Sequence, residues 1–418
     1  MTKMRTITLT LISVLAASAF AQKNAMTLED CEQALQKNNL MLLARQYDIA
    51  SAQAEIIQAK IWEHPYISAD WNAYNPETDT FFDVGKQKTI AIDQLIYLGG
   101  KKKNEVRLAR KKAEIAALEF EELLFNLRFE LRKSFYAIYF DAKKLALLDN
   151  QISQIEQLVS AYESQAEKGN VALKEVVRLQ SLLLDIRHER IEIFKNASEE
   201  RRNLALLTGI DTPVEPLAES KNLIGKFAKL LEKPDDLLLI GKEKNPEYKI
   251  ALLEIEARQV DIKFQKSLAI PDVTVGAGYD QFSGAFRNET NMRVGIPLPL
   301  WNKNKGNIKV SEAELAKSKT DGERKLFELK ADLESAYAIW DENRKQILAI
   351  KESVYDNLES VNKGILSNFQ KRNISLNEFT DFMESYNLSV LNLNESYKQL
   401  ILSGETLNHL VNDTLFQP

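Results

Sequence analysis

The sequence predicts a mainly α chain, interrupted by two β-hairpins and built as two copies of one unit. Three features lead there. Stretches 101–168 and 305–371 hold no Pro and almost no Gly, so each reads as helix over roughly 67 residues, about 100 Å at 1.5 Å per residue. Around residues 64–103 the helical period gives way to alternation, with Ile67, Ala69, Trp71 and Ala73 set against Ser68, Asp70, Asn72 and Tyr74. A shift of about 205 residues then lays "AKIWEHPYISADWNAY" (59–74) over "FQKSLAIPDVTVGAGY" (264–279), bringing Pro65 within one place of Pro271.

The repetition continues along the chain. "IAIDQLIYLGGKKKNEVRLA" (90–109) matches "VGIPLPLWNKNKGNIKVSEA" (294–313), and "EKGNVALKEV" (167–176) matches "QKRNISLNEF" (370–379). Each copy runs helix, strand, turn, strand, very long helix, tight turn, helix. The first repeat occupies 22–208 and the second 236–418. Between them, 209–235 carries Pro213, Pro216 and Pro234 and reads as a linker wrapped over the surface. Residues 1–21 read as a secretory signal peptide: Lys3 and Arg5, an apolar run over 7–17, and Ala19-Phe20-Ala21 before the cut. That run is far shorter than the roughly 20 residues a spanning helix needs.

Composition narrows the function classes. With 44% hydrophobic and 28% charged residues but only 15 Gly and 10 Pro, the chain is globular and helix-rich. Its net charge of −5, about −7 once Lys3 and Arg5 leave with the leader, argues against nucleic acid as a partner. Cys31 is the only cysteine, so no disulfide forms within the chain, and Glu29 and Asp30 before it do not fit a lipidation site. His64, His188 and His409 are scattered. Neither a metal site nor a nucleophile with a base is visible, so no enzyme and no cofactor are expected.

The strands are expected at 66–75, 87–96, 272–280 and 290–299. One face is apolar (Ile67, Trp71, Ile90, Ile92, Val273, Val275, Val294, Ile296); the other is small or polar (Ser68, Asp70, Asn72, Asp93, Thr274, Gly276, Arg293). About ten residues is the length of a tilted strand crossing an outer membrane, yet a soluble sheet with one wet face gives the same pattern. An isolated hairpin is marginal in water. Four strands cannot close a barrel in lipid, whereas three chains supply twelve. In the first long helix Leu145, Leu148, Ile152, Ile155, Val159 and Tyr162 follow 3-4-3-4-3 spacing. The return helix answers with Val176, Leu179, Leu183, Ile186 and Ile193, interrupted at Arg190, so the two are expected to pair antiparallel.

From about residue 27 to residue 415 the chain resembles the TolC family of outer-membrane efflux proteins. The resemblance rests on the doubled strand-helix unit, the two long helices, the "PDVTVGAGY" strand, and the tip sequences "GNVALKEVV" and "RNISLNEFTDFMESYNL". It implies a fold that is mainly α with membrane β: a TolC-like α/β-barrel protomer contributing four strands to a trimeric twelve-stranded barrel, with a helical tunnel across the periplasm. It further implies a Gram-negative outer membrane and a passive exit duct for tripartite efflux or type I secretion. The partners implied are a periplasmic adaptor, an inner-membrane pump of the RND or ABC type, and outer-membrane lipids. By the same resemblance, Glu378 and Asp381 line the aperture, with Glu175 and Arg178 at the equivalent places of the first repeat. Gly169, Asn170, Arg372 and Asn373 form the adaptor-docking tips. The family's tip glycine is kept as Gly169 but is Arg372 in the second copy, and its closing Tyr and Arg correspond to Phe369 and Ile374.

Tyr97 and Trp301 sit where an aromatic belt belongs. Lys101, Lys102 and Lys103 lie at a helix start where positive charge opposes the dipole; they read either as a solvated face or, since the resemblance implies that this helix starts just below the membrane, as a contact to anionic headgroups. Two rival readings are a periplasmic adaptor and a structural coiled-coil protein. The adaptor would carry a single hairpin, and the coiled coil would need no repeated strand pairs.

Overall fold

The computed structural model describes residues 24–82, 88–282, 286–350 and 353–416. The leader expected at 1–21 lies outside these, as does Gln87 at the start of the second expected strand. In chain order the first copy gives β1 (Asn24–Met26), α1 (Leu28–Asn38), α2 (Leu40–Lys60), β2 (Tyr66–Trp71), β3 (Tyr74–Asn75), β4 (Thr80–Phe81), β5 (Lys88–Ile96), α3 (Lys101–Glu167) and α4 (Leu173–Thr208). Next come β6 (Val214–Pro216), α5 (Ser220–Phe227), α6 (Pro234–Lys244) and α7 (Pro246–Leu268). The chain ends with β7 (Val273–Phe282), β8 (Arg287–Gly295), α8 (Lys305–Ala349), α9 (Ser353–Gln370) and α10 (Leu376–Val411).

Packing divides the chain into two units. One takes the residues up to Leu43, Leu123–Asn245 and Leu329 onward; the other takes Ala44–Glu122 and Pro246–Glu328. The division cuts across the copies. Each unit receives equivalent parts of both, because the cuts after Leu43 and Glu122 recur about 204 residues later, after Asn245 and Glu328.

The first unit holds the paired helices. Leu145, Leu148, Ile155 and Val159 of α3 are buried together with Leu179, Leu183, Ile186 and Ile193 of α4, so the expected antiparallel seam forms. Leu158 and Leu182 are buried in the same cluster, as are Phe379 and Met383 of α10. Ion pairs edge the seam: Arg187 Nη2 lies 2.5 Å from Glu156 Oε1, and Arg190 pairs with Asp149. Arg190, the break in the apolar spacing, is therefore an edge position facing an acid.

Repeat-equivalent asparagines brace both helix breaks. Asn39, between α1 and α2, donates from Nδ2 to the Leu207 carbonyl at 3.0 Å, near the end of α4. Asn245, between α6 and α7, donates to the Leu410 carbonyl at 3.0 Å, near the end of α10. The linker does more than wrap the surface. Its Phe227 is buried against Phe416 (ring centroids 4.8 Å apart), and its carbonyl accepts Trp340 Nε1–H at 3.0 Å. The second long helix is described in two segments, α8 and α9. Its ladder ends at Ala349, where Ile350 N–H turns to the Ile347 carbonyl in a tighter three-residue step.

In the second unit, β2, β5, β7 and β8 form one antiparallel sheet in the order β2-β5-β7-β8. Register puts Ile67 opposite Ile92, Gln94 opposite Val275 and Val275 opposite Val294, so the apolar positions gather on one face. That face is exposed: Ile67, Ile92, Val294 and Met292 are all open to solvent, Met292 at 84%. Two strands differ from the expectation. The first stops at Trp71, and Tyr74–Asn75 turn back to pair with Thr80–Phe81, where the Tyr74 and Phe81 rings lie 4.9 Å apart. The last ends at Gly295 because Pro297 and Pro299 have no N–H to give a ladder.

On the polar face Asp93, Gly276 and Arg293 stand side by side across three strands, and Arg293 Nη2 reaches Asp93 Oδ2 at 3.5 Å. Only a glycine fits between them. A Cβ at 276 would lie 1.9 Å from Asp93 Oδ1 and 2.7 Å from the Ile92 carbonyl. Gly276→Ala is therefore expected to destabilise the sheet by about 1–3 kcal/mol, read as a lower unfolding temperature of the purified protein in detergent. An unchanged temperature would mean that the β5–β7 pairing is looser than this register requires.

Candidate functional site

Both helical hairpins turn through the same geometry. Gly169 adopts φ 75°, and Asn170 donates its N–H to the Gln165 carbonyl and its Nδ2 to Gln165 Oε1, both at 2.9 Å. In the second copy Arg372 takes φ 61°, and Asn373 donates to the Asn368 carbonyl at 2.9 Å and to Asn368 Oδ1 at 3.2 Å. The turn imposes the left-handed conformation, and Arg372 accepts it at a cost of about 1–2 kcal/mol.

The return helices start differently. Ala172 gives α4 no side-chain cap. Ser375 caps α10: its hydroxyl accepts Glu378 N–H at 3.2 Å, while Glu378 Oε2 accepts from Ser375 N–H and from its hydroxyl, each at 2.8 Å. The backbone bond from Ser375, then the hydroxyl bond, hold the Glu378 carboxyl below its usual range. A lowered folded pKa means that the charged cap supports the helix above pH 4.5, the ordinary value, and that this support is lost as pH falls through the lower one.

Arg178 and Asp381, each the sixth residue of its helix, meet. Arg178 Nη2 lies 3.1 Å from Asp381 Oδ1, and its Nε–H donates to Thr380 Oγ1 at 2.9 Å. The pair joins α4 to α10 at equivalent positions of the two copies, so opposite charges there are what allow the contact. With Asp381 71% exposed, the pair is worth about 0–1 kcal/mol. Within one chain, then, Glu378 serves as a cap and Asp381 as an ion-pair partner. Glu175 lies near Tyr162, whose phenol is pushed up by burial first and then by the Glu175 charge, with Arg372 opposing.

Beneath these groups three rings stack. Tyr162 lies 5.8 Å from Phe369, and Phe369 lies 4.2 Å from Phe379 at 12°. Phe379 is fully buried. Phe369 is thus a packing residue here.

The residues expected at a membrane interface lie in the second unit. Trp301 is 91% exposed. Tyr97 packs on Trp62 at 5.6 Å, and Lys102 Nζ lies 5.3 Å from the Tyr97 ring while pairing with Glu105 at 2.9 Å. Lys103 is exposed. Lys101 departs from the expectation. It is buried and bound to Asp272 Oδ1 at 2.6 Å, an oxygen that also accepts Leu98 N–H at 3.0 Å. It therefore pins the helix start to the base of β7 and is withdrawn from any headgroup. Among the described residues no group of three or more His, Cys, Asp or Glu is placed to hold a metal ion, and no helix is long and apolar enough to cross a membrane.

Comparison with known proteins finds a family match over part of the chain. The outer membrane efflux protein family matches residues 31–210. The cobalt-zinc-cadmium resistance protein CzcC of Cupriavidus metallidurans is 22% identical over 284 residues, 68% of this chain and 65% of CzcC, so the matched region spans just under two thirds of that relative. A membrane protein from Pseudomonas aeruginosa superposes with a TM-score of 0.73 at 16% identity, covering 92% of each chain. CusC, described as forming a transmembrane channel, superposes with a TM-score of 0.73 at 14% identity over 94% of this chain and 96% of its own. At such identities the structural likeness is one of fold.

The ring stack yields a direct test. Phe379→Ala is expected to cost about 3–5 kcal/mol and to open the tips to protease, whereas Arg372→Gly, relieved of its strained backbone, should gain about 1 kcal/mol. Thermal midpoints and limited proteolysis of the purified protein check both. A Phe379→Ala protein melting like the parent would show that the tips are supported elsewhere.

Proposed function

We propose that this chain, whose residues 31–210 match the outer membrane efflux protein family, acts in the outer membrane, where three copies form a passive exit duct. The duct is joined to an inner-membrane pump through a periplasmic adaptor that docks on the tips at Gly169, Asn170, Arg372 and Asn373. The observation that carries this reading is the sheet: four antiparallel strands with an exposed apolar face and one neighbour each for β2 and β8. In hydrocarbon such edges cost too much to stay open, so the sheet calls for further copies. The first repeat and the second each supply a hairpin, and three chains make twelve strands. An adaptor or a freestanding coiled coil has no use for such a sheet.

In this assembly Glu378 and Asp381 set the ion preference of the narrow periplasmic end. Carboxylates crowded at a constriction concentrate cations because the low-dielectric walls focus their field. Arg178 moderates that field by holding Asp381. An acidic constriction suits cationic cargo, and the similarity to a cobalt-zinc-cadmium resistance protein points to divalent metal cations as the class. Restored growth of an efflux-deficient host on zinc, cobalt or cadmium, with pump and adaptor supplied, checks the cargo.

Planar-bilayer recordings test the aperture. The parent channel should prefer cations and be blocked by multivalent cations from the periplasmic side. Arg178→Ala, which frees Asp381, should strengthen both effects. Asp381→Ala combined with Glu378→Gln, which keeps a cap acceptor for Ser375, should weaken both. If neither substitution alters block or selectivity, these residues do not line the aperture.

A further inference from the structure

Where α2 ends and α3 begins, the second unit carries an open pocket of about 490 Å³ lined by Lys60, Trp62, Lys102, Lys103, Val106, Arg107 and Arg110. Five of these seven side chains are cationic and none is acidic. Lys103, Arg107 and Arg110 stand at i, i+4 and i+7, one face of α3, and Lys60 faces them from the last turn of α2. Lys102 has Glu105 as its counter-ion. The side chains of Lys60, Lys103, Arg107 and Arg110 have no ion-pair partner among the described residues. Their neighbours differ: Lys101 is matched to Asp272, Lys111 to Glu114 and Glu256, and Arg45 to Asp48 and Glu119. Four unmatched cations around one pocket repel one another, a cost that an anion seated among them removes.

The fold itself does not ask for this charge. The second copy starts its long helix the same way, at Lys305 in place of Lys101, and there the three positions of Lys103, Arg107 and Arg110 are Asn307, Ser311 and Glu314. Ser311 is buried and donates to Asp261 Oδ2 at 2.6 Å. The same helix start is thus built with cations at these three positions in one copy and without them in the other, which separates the basic pocket from any need of the scaffold.

Its position names the anion. Trp62 lines the pocket and packs on Tyr97, the residue after the last of β5, while β2 begins four residues after Trp62. The pocket therefore sits at the base of the strands, beneath the exposed apolar face of the sheet. Aromatic rings with a polar edge belong at the level where acyl chains meet headgroups. We propose that this pocket binds the phosphate of an anionic phospholipid headgroup in the leaflet on the helix side of the membrane, one lipid for each copy of the chain. The inference rests on the channel reading above for the placement of the sheet in lipid.

The test uses the full-length protein purified in detergent. Native mass spectrometry counts retained phosphatidylglycerol against phosphatidylcholine, and a separate titration adds inorganic phosphate. The parent should retain phosphatidylglycerol in preference, one per copy, and phosphate should not displace it. The Lys103→Gln, Arg107→Gln, Arg110→Gln triple variant should need about tenfold more phosphatidylglycerol or beyond for half-saturation, since each basic residue near an anionic surface adds to binding. Lys309→Gln, a cation on the equivalent helix of the second copy, should leave retention unchanged. Equal retention by the parent and the triple variant overturns the site, and so does displacement by inorganic phosphate, which would make the ligand a free anion. Bilayer conductance of the triple variant separates the two readings: lost lipid preference with conductance intact bears on the pocket alone, whereas a protein that never enters a membrane sinks the channel as well.

Discussion

The backbone groups along the outer edges of β2 and β8 constrain everything else in this protein. The two inner strands satisfy their N–H and C=O groups on both sides, while β2 and β8 each have a single neighbour in the sheet. An unpaired backbone group costs several kcal/mol in hydrocarbon, and Ile67, Ile92 and Val294 on the exposed face favour that environment. A single chain cannot meet both demands. The proposed assembly would meet them, and much of the second unit then has a purpose: the glycine at 276 that lets Asp93 and Arg293 approach, the Lys101–Asp272 pair that fixes the helix to the strand base, and the aromatic pair at Trp62 and Tyr97.

Duplication positions residues, and the differences between copies give them individual roles. Asn39 and Asn245 brace equivalent helix breaks, and Gly169 and Arg372 turn equivalent corners. Where the copies diverge, chemistry appears. Arg178 and Asp381 stand at matching helical positions and bind each other, which identical charges would forbid. Ser375 and Glu378 cap one return helix while Ala172 leaves the other uncapped. The basic pocket belongs to the first copy alone, because Asn307, Ser311 and Glu314 replace its cations in the second.

How much of this was legible in the sequence follows from the range of the interactions involved. Local periodicity revealed the strands and the seam from Leu145 to Val159, since each is set by residues a few positions apart, while the tip turns came from the match between the copies and the family resemblance. Strand ends were less readable: Pro297 and Pro299 mark where β8 must stop, yet the turn of Tyr74 back onto Phe81 depends on ring packing. Contacts between distant segments left little local trace. Lys101 reads as one of three surface lysines until Asp272 is brought beside it, and Phe227 reads as linker until Trp340 and Phe416 enclose it. The end of helix α8 at Ala349 has neither Pro nor Gly to announce it. At the candidate aperture the spacing of Glu378 and Asp381 was plain, but their ties to Ser375 and Arg178 were not.

The central claim is that the two open edges of the sheet complete one another between copies and close after three. Cysteine pairs test it most directly. In a Cys31→Ser background, one cysteine is placed in turn along residues 67–70 of β2 and a second along 290–293 of β8, and the protein is oxidised in isolated outer membranes. The account predicts a pair that yields covalent trimers and nothing larger. Monomers at every pairing, or a ladder of products running past the trimer, would contradict it.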